Sequence, residues 1–154
     1  MSLFCAAWTV ASIAGLAAGA ASLTYYETAG SRGVLESGAE TVYPLYHVIA
    51  DLCELRGATV HSVESSAPLA VDLIAVTDPF GVIHALIANA TPATTRVTIR
   101  GLPEGRATMR GLCVETYITA CVDPGTFRLS SAEVETPREL ELEPYEVMRL
   151  DVLR

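Results

Sequence analysis

The feature that most limits what this chain can fold into is a change of hydrophobic period at Gly57. Just before it, Leu45, Val48, Ile49, Leu52 and Leu55 recur at spacings of three and four, so the sequence predicts a helix over Pro44–Arg56. Pro44 suits its first turn and Gly57 its stop. Beyond Gly57 the period is two. Strands are expected at Ala58–Val63 (carrying His61), Leu69–Thr77, Val82–Asn89, Thr95–Arg100, Gly105–Val114, Thr116–Val122, Thr126–Leu129, Arg138–Leu142 and Glu146–Leu153. Breaks containing Pro and Gly, such as Asp78-Pro79-Phe80-Gly81, separate several of them. Many short strands with regular turn signals read as an antiparallel β-sandwich.

Upstream, Leu3 to Leu23 carry no charge. The stretch is long enough to span a bilayer, and Gly15-x-x-x-Gly19 resembles a membrane packing motif. It has no basic flank before Arg32 and is rich in Ala and Gly, so a membrane span or signal peptide is disfavoured. It divides instead into a helix at Phe4–Ala18, a stop at Gly19 and a strand at Ala21–Glu27. In such a strand Leu23, Tyr25 and Glu27 share one face. The segment from Thr28 to Tyr43 then reads as a long loop. Glu27, a carboxylate at a strand end followed by a small-residue turn, is the first candidate site residue; a solvated or Arg-paired carboxylate fits its position equally well. Arg32 could pair with Glu27 or meet an anionic or hydroxylated ligand, or stand free in solvent.

Composition narrows the function classes. Eighteen acids face ten bases, all Arg, giving a formal charge of −8 with no basic stripe, which argues against nucleic acid as a partner. Cys5, Cys53, Cys113 and Cys121 form no C-x-x-C; a Cys113–Cys121 hairpin disulfide is conceivable, but dispersed thiols in a cytoplasmic protein are favoured. His47 and Asp51 stand at i, i+4 and read as an ordinary exposed helix face, together with Glu54. His84 reads as a hydrogen-bonded or half-exposed strand residue. There is no G-x-S-x-G elbow, no H-E-x-x-H and no Gly-rich phosphate cradle. No metal or cofactor is expected, and the chain alone carries no catalytic set.

The order helix, strand, long loop, amphipathic helix, all-β domain resembles the end of a clan A glycoside hydrolase, in which a β/α barrel precedes a C-terminal sandwich. Leu142-Glu143-Pro144-Tyr145-Glu146-Val147 looks like the closing strand of such a sandwich, and Val82-x-x-x-Leu86-Ile87-Ala88-Asn89 like a strand ending in Asn before a turn. More narrowly, Leu3-Phe4-x-Ala6-Ala7-Trp8-Thr9 and Thr24-Tyr25-Tyr26-Glu27-Thr28-x-Gly30-x-Arg32-Gly33-Val34 resemble the D-apionate lactonase family. The resemblance implies an α+β chain: residues 1–57 as the last βα portion of an incomplete TIM-type barrel, and residues 58–154 as the sandwich. It implies a hydrolase of sugar lactones, with a sugar or sugar-lactone substrate and a missing N-terminal barrel portion as partners. Glu27 is then the catalytic candidate, as general base toward water, with Tyr25 and Arg32 binding substrate. Since clan A enzymes place their catalytic pair on strands four and seven, this fragment is expected to be inactive alone. It should expose apolar surface on Phe4–Ala18 and Ala21–Glu27. The alternatives are a glycosidase of the arabinofuranosidase or xylosidase kind, a non-catalytic sandwich module and a membrane-anchored sandwich.

Overall fold

The structure, a computed structural model, describes residues 2–17, 19–38 and 40–153. In chain order the elements are α1 (Leu3–Leu16), β1 (Glu27–Ala29), β2 (Gly33–Leu35), α2 (Pro44–Glu54), β3 (Thr59–Val60), β4 (Val71–Thr77), β5 (Ile83–Asn89), β6 (Thr95–Thr98), β7 (Arg106–Leu112), α3 (Tyr117–Val122), α4 (Pro124–Leu129), β8 (Ala132–Glu135), β9 (Glu139–Leu142) and β10 (Val147–Val152). The fold is therefore α+β: a helix, a strand pair and a helix, then an antiparallel strand-rich domain. A six-stranded antiparallel sheet has the order β3-β4-β5-β10-β7-β8, and β6 pairs with β9 beside it.

Period-two alternation sorts the two faces of the large sheet. Ile83, Ala85 and Ile87 of β5, with Met148, Leu150 and Val152 of β10, pack with Leu140 and Leu142 of β9. The opposite parity, Leu86, Ala88 and Val147, packs with Leu3, Ala6, Ala7 and Val10 of α1, Val48 of α2 and Phe127 of α4. The molecule is thus layered: helices, large sheet, small sheet. Asn89 is fully buried at the end of β5. Its Nδ2 donates to the carbonyls of Ala93 and Glu143 at 2.7 and 2.8 Å, and its Oδ1 accepts from Thr91 N and Thr91 Oγ1 at 3.0 and 2.7 Å. One side chain joins the ends of the two sheets.

The expectation of exposed apolar surface on the first helix is half met. Leu3, Ala6, Ala7 and Val10, at i, i+3, i+4 and i+7, are covered by this chain's own sheet, whereas Phe4 (47%), Trp8 (46%) and Leu16 (52%) are exposed on the other side. Ala18, its expected last residue, lies outside the described residues. No helix among them is long and apolar enough to cross a membrane.

Other departures have local causes. The strand expected at Ala21–Glu27 does not form: β1 begins only at Glu27, and Tyr26 just before it turns to φ +56°, out of the extended range. Thr116–Val122 and Thr126–Leu129 are helices, not strands. Asp123-Pro124-Gly125 reads as a turn but is a helix start: Asp123 accepts from Thr126 N at 3.0 Å and Pro124 occupies the first turn. β8, an edge strand with Glu133 and Glu135 exposed, alternates these acids with Ala132 and Val134, but at four residues it is too short to stand out in the sequence.

Candidate functional site

Two of the expected site residues, Glu27 and Arg32, come together at the turn between β1 and β2. Gly30 adopts φ +104°, and a Cβ on Gly33 would lie 2.6 Å from the Ala29 carbonyl carbon, so both positions need glycine. Glu27 N donates to Arg32 O at 3.0 Å and Gly30 N to Leu35 O at 3.0 Å, which closes the turn. Glu27 and Arg32 thereby meet: Arg32 Nη2 lies 2.7 Å from Glu27 Oε1, with both side chains more than half exposed. Tyr26, Glu27, Ser31 and Arg32 line an open depression of about 490 Å³.

Tyr25 and Tyr26 both reach back to α1. The Tyr25 hydroxyl is 2.7 Å from Ser12 Oγ, and the Tyr26 hydroxyl is 3.0 Å from Thr9 Oγ1 and 3.4 Å from Cys5 Sγ. Burial, helped by the Cys5 contact, pushes the Tyr26 phenol up to about 12, so it keeps its proton at neutral pH. The shared face expected for Tyr25 and Glu27 requires a continuous strand. With Tyr26 in the left-handed region that alternation is lost, and Tyr26, not Tyr25, lines the depression beside Glu27.

A second polar assembly was not foreseen. His47 and Asp51, expected on an exposed helix face, are only 2% and 4% exposed. α2 turns toward the sheet the face centred on Val48 and Asp51, one position round from the most apolar stripe. Asp51 receives Arg110 Nη2 at 2.7 and 2.8 Å and Arg149 Nη1 at 2.7 Å; Arg128 Nη1 lies 2.9 Å away without hydrogen-bond alignment. Arg149 also reaches Glu54 at 2.7 Å and Asp151 at 3.0 Å, and Arg128 pairs with Glu54. Burial opposes the charge on Glu54, but Arg149 and Arg128 outweigh it and hold the carboxyl below its ordinary range. Asp151 continues the chain of charges to His84 Nδ1 at 2.8 Å, and His84 Nε2 faces Asp78 at 3.3 Å. His84 is hydrogen-bonded and partly exposed, as the sequence suggests.

Geometry separates the roles of these two assemblies. The space beside His47, Asp51, Arg110 and Arg149 is about 10 Å³, room for one water and no substrate. That assembly fastens α2 to the sheet. The Glu27–Arg32 turn is open and can receive a ligand. Among the described residues no group of three or more His, Cys, Asp or Glu is placed to hold a metal. Cys53, Cys113 and Cys121 are free thiols, so the conceivable Cys113–Cys121 bond is not formed.

Comparison with known proteins places the chain. A family model described as D-apionate lactonase, TIM barrel domain, matches residues 1–57. A second, described as D-apionate lactonase, C-terminal immunoglobulin-like domain, matches residues 68–150. No curated protein matches in sequence. Among solved structures, the GH51 arabinofuranosidase from Xanthomonas axonopodis pv. citri is 19% identical over 73% of this chain and 26% of its own, with a TM-score of 0.45. CelM2, a bifunctional glucanase-xylanase from a metagenome library, is 14% identical over 78% of this chain and 23% of its own, at 0.49. The α-L-arabinofuranosidase of Thermotoga maritima, solved with arabinose, is 19% identical over 60% and 20%, at 0.36. This chain spans about a quarter or less of each of those chains, and likeness at this level says nothing about activity. The two family models lie in order along the sequence, the second alone takes in more than half of it, and the chain belongs to the D-apionate lactonase family.

Proposed function

We propose that this chain forms the closing part of a cytoplasmic hydrolase that opens a sugar lactone of the D-apionolactone kind. Residues 1–57 contribute to a barrel completed by chain outside these residues, and residues 58–154 form the supporting sandwich. The observation that carries the reading is the open turn, where Glu27 and Arg32 meet at 2.7 Å with both side chains more than half exposed. Membership of the D-apionate lactonase family supports the reaction class.

In this reading Glu27 takes a proton from water as its oxygen attacks the lactone carbonyl carbon. The ring C–O bond of the ester breaks, and the proton passes to the departing ring oxygen, leaving a hydroxy acid. The new carboxyl group then gives its proton to water, and Arg32 faces the resulting carboxylate, whose charge the neutral lactone lacks.

The test is hydrolysis of sugar lactones by the intact protein, followed by proton release, beside chromogenic furanosides. Glu27→Gln should lower kcat by about 10²–10⁴. Turnover undiminished in Glu27→Gln, or activity confined to furanosides, would overturn the reading.

A further inference from the structure

We propose that α3, the helix inserted between β7 and β8 of the sandwich, positions the loop that carries Glu27 and Arg32, and that His47, by holding the end of α3, is the residue that keeps it in place to do so. The proposal rests on the reading of Glu27 and Arg32 as site residues, although its structural half stands without it.

The insertion is longer than joining the two strands requires. β7 and β8 are antiparallel neighbours, with Met109 opposite Ala132, and such neighbours can be joined by a two-residue turn. The chain runs instead through residues 113–131 and forms two helices there. Thr116 moors the start of α3 to the end of β7: its Oγ1 donates to Gly111 O at 2.9 Å and accepts from Cys113 N at 3.0 Å.

The other end of α3 is held by the barrel portion. The last carbonyls of a helix have no partner within it. Here Ala120 O accepts from His47 Nε2 at 2.8 Å, and Cys121 O accepts from Val42 N at 3.0 Å. His47 is fixed for this by its ring contact with Phe127 of α4, 4.4 Å between centroids. From Val42 the pairing runs back toward the site. Val42 bridges Leu35, Tyr43 N donates to Val34 O at 3.0 Å, Gly30 N to Leu35 O at 3.0 Å, and Glu27 N to Arg32 O at 3.0 Å. The Glu27–Arg32 turn is joined by main-chain hydrogen bonds to the end of a sandwich helix. Those main-chain bonds fix where the turn sits.

The test is amide hydrogen exchange on the whole chain. His47→Leu removes the donor to Ala120, whereas His47→Gln keeps an N–H on a side chain of similar reach. In His47→Leu, exchange across residues 28–43 should accelerate by about tenfold, as for the loss of one hydrogen bond, while β5, β7 and β10 stay protected. His47→Gln should restore protection. Thr116→Val loosens α3 from its far end, touches neither α2 nor the loop, and should open the same segment even if His47→Leu does not fold. Unchanged exchange at 28–43, or uniform acceleration over the sheet, would overturn the proposal. In the intact enzyme His47→Leu should raise KM for a lactone more than it lowers kcat, and His47→Gln should reverse that. If Glu27→Gln leaves turnover intact, the catalytic reading fails while the exchange result still judges α3.

Discussion

Arg110 of β7 and Arg149 of β10 stand directly opposite each other in the antiparallel ladder, and the carboxylate of Asp51 reaches both. Like charges in that relation repel, so the sheet tolerates the pair only because α2 brings a counter-charge to it. Arg149 is held charged against the cost of its burial by Glu54, Asp51 and Asp151.

Removing that counter-charge should be costly. Asp51→Asn leaves the buried Arg110 guanidinium without its anion and should lower stability by about 3–5 kcal/mol in urea denaturation. Little dependence on salt is expected, because screening barely reaches a buried pair. A loss below ~1 kcal/mol would mean the cluster is no more than a surface ion pair.

His47 gives the stability a pH dependence. Burial, aided by Arg128 and Arg110, lowers its pKa below the ordinary 6.5, so the unfolded chain takes up the proton first. Its contribution is complete above 6.5 and declines as pH falls from there through the folded-state value. Wild type should therefore lose Tm between neutral and mildly acid pH faster than His47→Gln. Parallel profiles for the two proteins would refute this.

Glu146 has the opposite sign. Burial raises its pKa, reinforced by Glu143 and Glu115 and opposed by the Glu143 N–H. A carboxyl raised in the folded state favours folding below its unfolded value, near 4.5, and that benefit is lost as pH rises through the folded value. Glu146→Gln, which can still accept from Glu143 N, should raise Tm at neutral pH, with the gain shrinking as pH falls through the folded value and gone below pH 4.5. A neutral-pH loss of stability would show that the charge is needed.

Asn89 joins the two sheets through one amide. Asn89→Ala strands the carbonyls of Ala93, Leu142 and Glu143 and the Thr91 N–H. At about 1–3 kcal/mol per buried group left unpaired, a total loss of ~3 kcal/mol or more is expected by calorimetry.

Gly33 tests the site turn itself. Gly33→Ala sets a methyl against the Ala29 main chain at under 3 Å and should cost about 1–3 kcal/mol locally. Limited proteolysis should cut faster within residues 28–43 than in wild type. Equal rates would show that the turn can relax.

Much of this architecture was legible because its signals are local. The Pro44 helix start, the period change at Gly57 and the alternation of β5, β7 and β10 each need only neighbouring residues to be read. The Glu27–Arg32 pair was legible for the same reason, since the two lie five positions apart across a turn that contains Gly30. Asp51 and its arginines were not. Arg110 and Arg149 lie 59 and 98 positions away in sequence, and only strand order brings them under α2. Tyr26 was missed because a left-handed tyrosine has no sequence signature, and α4 because Asp-Pro-Gly serves turns and helix starts alike.

The shared Asp51 bears on how such genes can be cut and rejoined. The two family models meet in the interval between residues 57 and 68, an inviting place to exchange one sandwich for another. Asp51 lies before that junction, and Arg110, Arg128 and Arg149 lie after it. A chimera made there inherits one half of a charge set whose other half it has left behind. Exchange at this junction works only between parents that keep the same four residues, so the unit that can be inherited intact is the helix together with its sandwich.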